Sequence, residues 1–168
     1  RPTEWRLNGP FGLHEEHDMT TTLPSFPVEG GCQCGAVRYR LTAPPLSVYR
    51  CHCKDCQRFS GTTHSMSMVV RAETLELMSG APAVYEKRAD SGRVAQMHGC
   101  PVCGTRLWNA SQAAPQTLVL KPGALDEMGW AEPVGNIWTA SKAPWIEIAA
   151  DSTVTIRVPS GLNCTPPI

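Results

Sequence analysis

The 168-residue chain has no excess of charge of either sign, because 15 Lys and Arg stand against 15 Asp and Glu. That balance leaves no electrostatic footprint for nucleic acid or for an anionic membrane surface. No apolar run approaches the roughly 18 residues that a membrane-spanning helix needs, and no basic-then-apolar signal segment opens the chain. Internal repeats and low-complexity tracts are also missing, which excludes a solenoid or a biased linker. The expectation is a soluble, cytoplasmic, single-domain protein large enough to bury a core.

Turn formers and cysteines are plentiful by contrast. The 14 Gly and 15 Pro fall mostly between short β-rich runs at 37–41, 47–50, 65–70, 74–77, 94–97, 117–120, 137–139 and 154–158. Strands separated by tight turns predict a mainly β fold. Helical turns are expected only at 55–59 and 124–128. Residues 1–29 read as an irregular N-terminal extension, 30–158 as the β domain and 159–168 as a Pro-rich tail. Met19 looks like a natural start, so residues 1–18 are taken as vector-derived or as belonging to an upstream start and are kept out of the fold argument.

Of the eight cysteines, seven are bunched in Cys32-Gln33-Cys34, Cys51-His52-Cys53-Lys54-Asp55-Cys56 and Cys100-Pro101-Val102-Cys103. Secreted disulfide frameworks rarely take this form, and in a reducing cytosol such bunching points to metal. A thiolate zinc site needs four ligands about 2.3 Å from one ion, and two cysteines one to four residues apart can both reach it. In a strand, residues i and i+2 share a face, so Cys32 and Cys34 are expected to grip an ion from a strand end. Cys100 and Cys103 sit in a knuckle between Gly99 and Gly104, whose turn aims amide N–H groups at sulfur. These four form a closed, structural zinc site that cross-links the 65 residues between Cys34 and Cys100.

The middle hook carries three sulfurs within six consecutive residues and no fourth cysteine nearby. Closure by His64, His98 or Cys164 would make a second structural site. Left open, the fourth position admits water or substrate, and Cys51, Cys53 and Cys56 then hold a catalytic zinc. Three thiolates lower the Lewis acidity of the ion relative to three imidazoles, so a soft incoming thiol suits it better than water. Coordination would ionise that thiol, whose free pKa is about 8.5.

At these residues the sequence resembles the glutathione-dependent formaldehyde-activating enzymes, a group that includes centromere-protein-V-like proteins. The likeness is carried by Gly31-Cys32-Gln33-Cys34-Gly35-Ala36-Val37-Arg38-Tyr39, Cys51-His52-Cys53-Lys54-Asp55-Cys56-Gln57-Arg58, Cys100-Pro101-Val102-Cys103-Gly104 and Ser141-Lys142-Ala143-Pro144-Trp145, and spans about 30–151. The resemblance implies a zinc-stapled β fold akin to the methionine sulfoxide reductase type B scaffold. It assigns Cys32, Cys34, Cys100 and Cys103 to a structural zinc and Cys51, Cys53 and Cys56 to a catalytic one, two zinc ions per chain. It also implies a carbon–sulfur lyase run in reverse, joining glutathione to formaldehyde as S-hydroxymethylglutathione. The implied partner is therefore a small molecule, with glutathione the candidate. Two other readings stand beside it, a non-catalytic zinc-stapled interaction module and a family enzyme acting on an unrelated small substrate.

Arg50, Lys54, Arg58 and Lys142 are candidates for the carboxylates of glutathione, against the plainer reading of solvated surface charges. His52 is expected to point away from the sulfurs in a packing role, and His64 and His98 are acid–base candidates that more often are merely hydrogen-bonded. Trp108, Trp138 and Trp145 could line a pocket, although tryptophan in a small β protein is usually core. Cys164 reads as a bystander thiol. His14-Glu15-Glu16 mimics the His-x-Glu of zinc deaminases, but their second element is Pro-Cys-x-x-Cys and here Pro101 follows Cys100, which rejects that class.

Overall fold

The β-rich runs pair into two antiparallel-dominated sheets. A computed structural model describes residues 23–88, 92 and 94–148. The strand expected at 154–158, the Pro-rich tail, Cys164 and His14-Glu15-Glu16 lie outside the described residues. Chain order is β1 (Val28–Gly31), β2 (Arg38–Leu41), β3 (Ser47–Cys51), α1 (Lys54–Ser60), β4 (Ser65–Arg71), β5 (Leu75–Ser79), β6 (Ala83–Arg88), β7 (Val94–Gly99), β8 (Arg106–Ser111), β9 (Thr117–Leu120) and β10 (Asn136–Ile137). One sheet has the order β1-β2-β5 and the other β10-β3-β4-β9-β8-β7-β6. Among the described strands only β10 runs parallel to its neighbour, β3. The fold is mainly β, as its turn-punctuated sequence predicts.

Several elements differ from the sequence expectation. β1 begins at Val28, inside the segment expected to be irregular, because its strand character comes from pairing with β2, Val28 opposite Leu41 and Gly31 opposite Arg38. β6 is an exposed edge strand and β8 has no clean alternation, so neither announces itself by period. β10 stops after two residues because Trp138 turns the backbone to φ 59°, a region few bulky residues adopt. The helical turn expected at 124–128 is a 3₁₀ turn over Pro122–Ala124, after which Leu125 is extended and bridges Gly30.

The main core lies between the sheets, where Tyr39 and Leu41 of β2 meet Met68 and Val70 of β4, Leu107 and Trp108 of β8, and Leu120 of β9. Alternation then sends Ser65, Ser67 and Val69 of β4 to the opposite face. That face is covered as well: Tyr49, Cys51, Cys53, Cys56 and Val69 form a second buried cluster, flanked by Ile137 and Trp138. The central strands β3 and β4 thus separate an apolar core from a thiol-rich one. Among the described residues no helix is long and apolar enough to cross a membrane.

Candidate metal centres

The first cysteine cluster sits where the two sheets meet. Cys32 follows β1 and Cys34 lies in the turn before β2, in which Gly35 N donates to Cys32 O at 3.0 Å and Cys32 N to Val37 O at 2.9 Å. This turn, closed by Gly35 at φ 78°, presents both sulfurs; the strand alternation expected from their spacing does not. Cys100 and Cys103 occupy the β7–β8 loop, where Cys100 N donates to Thr105 O at 2.9 Å. Amides face sulfur on both sides, Val37 N to Cys32 Sγ at 3.2 Å, and Val102 N and Cys103 N to Cys100 Sγ at 3.4 and 3.5 Å.

The four sulfurs lie within 4.8 Å of one another, with Cys32 to Cys34 at 3.5 Å and Cys34 to Cys100 at 3.7 Å. Four sulfurs ~2.3 Å from one ion form a tetrahedron with ~3.8 Å edges, whereas a disulfide would bring a pair to ~2.05 Å. All seven described cysteines are free, so the donor set fits a tetrahedral, thiolate-loving ion. The Thr105 hydroxyl and amide bring the Cys103 thiol down to about 5. An amide N–H of Ala36 acts the same way on Cys34, but crowding by Cys32 and Cys103 outweighs it and pushes Cys34 up to about 12. Four thiols this close need a cation among them before all can ionise.

The second cluster is built by the end of β3 and the start of α1. Cys51 is the last residue of β3, Cys53 caps α1 with its sulfur and Cys56 sits in the first turn, so three sulfurs converge within 4.8 Å and all three are buried. Cys53 and Cys56, together with burial, hold the Cys51 thiol far above its usual range. A hydrogen bond with Cys51 lowers Cys56, but Cys53 and burial outweigh it and push Cys56 up to about 11. Three buried thiols in contact cannot ionise unaided, and a divalent cation is the group that fits them. Among the described residues no His, Cys, Asp or Glu adds a fourth ligand atom. Neither His64 nor His98 brings a ring nitrogen into the group of sulfurs within 4.8 Å, and Cys164 lies outside the described residues.

Residues 27–141 match the family described as glutathione-dependent formaldehyde-activating enzyme, GFA. The chain belongs to this family. A protein of Halomonas elongata, provisionally named a glutathione-dependent formaldehyde-activating enzyme, is 28% identical over 127 residues, covering 72% of this chain and 80% of that protein. A crystal structure of a Rhodobacter sphaeroides protein superimposes with a TM-score of 0.48 and 22% identity, over 58% of this chain and 87% of that one.

An open cavity of about 490 Å³ in this GFA-family chain is bounded by Phe59, Ser60, His64, Ser65, Arg106 and Lys121 among others, and none of the three triad cysteines is in its lining. Ser65 is the cross-strand partner of Cys51, and Ser60 Oγ donates to Cys56 O at 2.7 Å, so the cavity abuts the triad's own supports. His64 also borders a smaller cavity of about 120 Å³ with Arg50, His52 and Asn136. Burial is the main cause that lowers the pKa of His64, with His52 and Arg50 adding to it.

The other sequence candidates sort by their contacts. Lys54 Nζ donates to Ser141 O at 3.2 Å, and Gln57 Nε2 to Ser141 O at 2.8 Å and His52 O at 2.7 Å, which binds α1 to the segment following β10. Lys142 Nζ donates to Ile146 O at 2.8 Å and so holds its own loop. Arg58 is exposed on α1. His52 is 1% exposed; its Nε2–H donates to Asn136 Oδ1 at 2.9 Å, and Nδ1 is buried without a partner among the described residues. His98 stacks on Trp108 with centroids 5.1 Å apart, a packing role, and burial lowers its pKa. Trp108 is core and Trp138 packs on the triad cluster, but Trp145 is 73% exposed, against the expectation that tryptophan is core.

Sequence reasoning missed Ser65, Ser67 and Lys121. Lys121 is only 8% exposed, and its Nζ donates to Ser67 Oγ at 3.3 Å. The available signal was the Ser-Met-Ser-Met alternation at 65–68, which places hydroxyls on a face that the fold buries.

Proposed function

We propose that this chain is a two-zinc enzyme that joins glutathione to formaldehyde or a related small carbonyl, the synthetic direction of a carbon–sulfur lyase. Cys32, Cys34, Cys100 and Cys103 would hold a structural zinc, and Cys51, Cys53 and Cys56 a catalytic one. The observation that carries the reading is the buried three-sulfur cluster with no fourth ligand grouped with it among the described residues, whose neighbours Ser60 and Ser65 border a cavity of about 490 Å³. A cavity of that size accommodates a small peptide thiol.

A zinc ion bound there would supply soft Lewis acidity that favours the thiolate form of an incoming thiol. The protein does the rest by placement. Ser60 fixes the carbonyl of Cys56, Gln57 fixes that of His52, and the pairing of β3 with β4 sets Cys51 beside Ser65 at the cavity wall. Such rigidity holds sulfur and carbonyl carbon together, and proximity is the main gain available to an addition between two small reactants. A reducing compartment would keep the seven described cysteines available as metal ligands.

A structure of zinc-loaded protein soaked with glutathione tests this reading. Density for the peptide in the cavity, with its sulfur completing the triad's coordination, is the expected result. A triad closed by a residue of the chain itself would sink it and favour the structural-module alternative.

A further inference from the structure

We propose that Lys121 is a catalytic residue whose ammonium group binds the carbonyl oxygen of the aldehyde and stabilises the negative charge that this oxygen gains as sulfur adds. The inference rests on the proposed glutathione–carbonyl chemistry and adds the group that receives the electrophile. Lys121 follows β9 and reaches under β4, where Nζ donates to Ser67 Oγ at 3.3 Å. Ser67 and Ser65 lie on the β4 face that meets the cysteine triad, opposite Tyr49 and Cys51 across the β3 pairing. The same lysine forms part of the cavity wall. One buried lysine thus links the β4 face that meets the thiol cluster to the space where a second reactant would sit.

A buried cation could instead hold a carboxylate of the peptide thiol. The 8% exposure argues against that. A carboxylate arrives fully charged and hydrated, and bringing it to this depth costs its desolvation in the ground state. An aldehyde oxygen arrives neutral and becomes anionic only as the reaction proceeds. A fixed donor at that point therefore favours the transition state over the substrate, which raises rate without raising affinity. In the step itself the thiolate sulfur forms a bond to carbon, the C=O π pair moves to oxygen beside Lys121, and that oxygen takes a proton from water through the open cavity. The proton released by the thiol balances it, and Lys121 stays charged throughout.

The test compares wild type and Lys121→Met, both zinc-loaded, by the rate of S-hydroxymethylglutathione formation above the uncatalysed background and by calorimetric glutathione binding. The expected result is a loss of rate of about a hundredfold with two zinc ions and glutathione affinity both retained. An unchanged rate overturns the proposal. So does a rise in glutathione Kd that matches the loss in rate, which would make Lys121 a carboxylate anchor. Should Lys121→Met fail to fold, Ser67→Ala carries the test. Loss of the hydroxyl that holds the ammonium should slow addition about tenfold at unchanged Kd, and an unchanged rate overturns the proposal. Wild type that does not exceed background overturns both this role and the proposed function, whereas an active wild type matched by Lys121→Met overturns the role alone.

Discussion

The sulfur of Cys53 accepts the backbone N–H of Cys56 at 3.4 Å, so one side chain both caps α1 and belongs to the buried triad. A helix of seven residues has little stability from propensity alone, and the cluster and the helix must therefore form together. Serine at position 53 would keep a cap acceptor but lose the soft ligand, whereas alanine would lose both. We expect Cys53→Ser and Cys53→Ala each to fold with one zinc per chain in place of two and to be inactive. The alanine variant should be less stable than the serine variant by about 1 kcal/mol. Metal analysis and thermal melts read the two effects separately, and unfolding by either variant would assign the second ion a structural role.

Cys100→Ser or Cys103→Ser should behave quite differently. These sulfurs join the β7–β8 loop to the β1–β2 turn and thereby one sheet to the other. Structural zinc supplies on the order of 10 kcal/mol to small zinc modules, comparable to the whole stability of a domain. Aggregation or an unfolded circular dichroism spectrum is the expected outcome, and a cooperative melt near that of wild type would refute the structural assignment.

Thr105 should set the pH at which an ion held at this first site is released. Its hydroxyl accepts Gln33 N–H at 3.2 Å and lies 3.2 Å from Cys103 Sγ, bringing that thiol from the ordinary 9.0 down to about 5. A depressed pKa stabilises the folded, ionised form fully above the ordinary value, and the contribution is lost as pH falls through the folded one. Thr105→Val should raise the Cys103 pKa, so zinc should leave at a higher pH than in wild type. A zinc indicator during acid titration gives the midpoint, and a midpoint that stays put or moves down contradicts the assignment.

The partition of the seven cysteines was legible in the sequence because ligand spacing is local: two residues one to four apart reach the same ion in almost any turn. How they do so was not. Cys32 and Cys34 converge through a turn closed by Gly35, a conformation that period-two alternation does not encode. Strands β2, β4 and β9 were readable from β-rich runs, while β1 depends on its partner and β6 is exposed at an edge, where no burial pattern marks it. Lys121 was invisible for a related reason. Its meaning comes from lying under β4 beside Ser67, a contact that only the pairing of β9 with β4 creates.

Gly30 shows how closely the first site is tied to packing. A Cβ there would lie 2.4 Å from Ala124 O and 2.6 Å from the Tyr39 hydroxyl oxygen, and Tyr39 is fully buried. Neither neighbour can retreat without opening the core between the sheets. Gly30→Ala should destabilise the fold by about 1–3 kcal/mol and, two residues from Cys32, should lower zinc occupancy of the four-cysteine site. Melting and metal analysis together check it, and a melting point equal to wild type would mean that the backbone of β1 yields more readily than its contacts suggest.

The chemistry at the triad predicts which thiols bind. If an incoming sulfur completes the coordination of a zinc ion held by Cys51, Cys53 and Cys56, the ligand must be able to lose its proton. Glutathione can do so and S-methylglutathione cannot, although the two share both carboxylates and differ by one methyl group. Glutathione should therefore bind zinc-loaded protein far more tightly, with affinity rising as pH increases toward the free thiol's value of about 8.5. It should also raise the melting temperature by mass action. Protein containing only the structural zinc, such as Cys53→Ser, should show neither effect. Equal binding of the two peptides at matched zinc occupancy would mean that recognition comes from the carboxylates and not from sulfur, and would remove the thiolate from the mechanism.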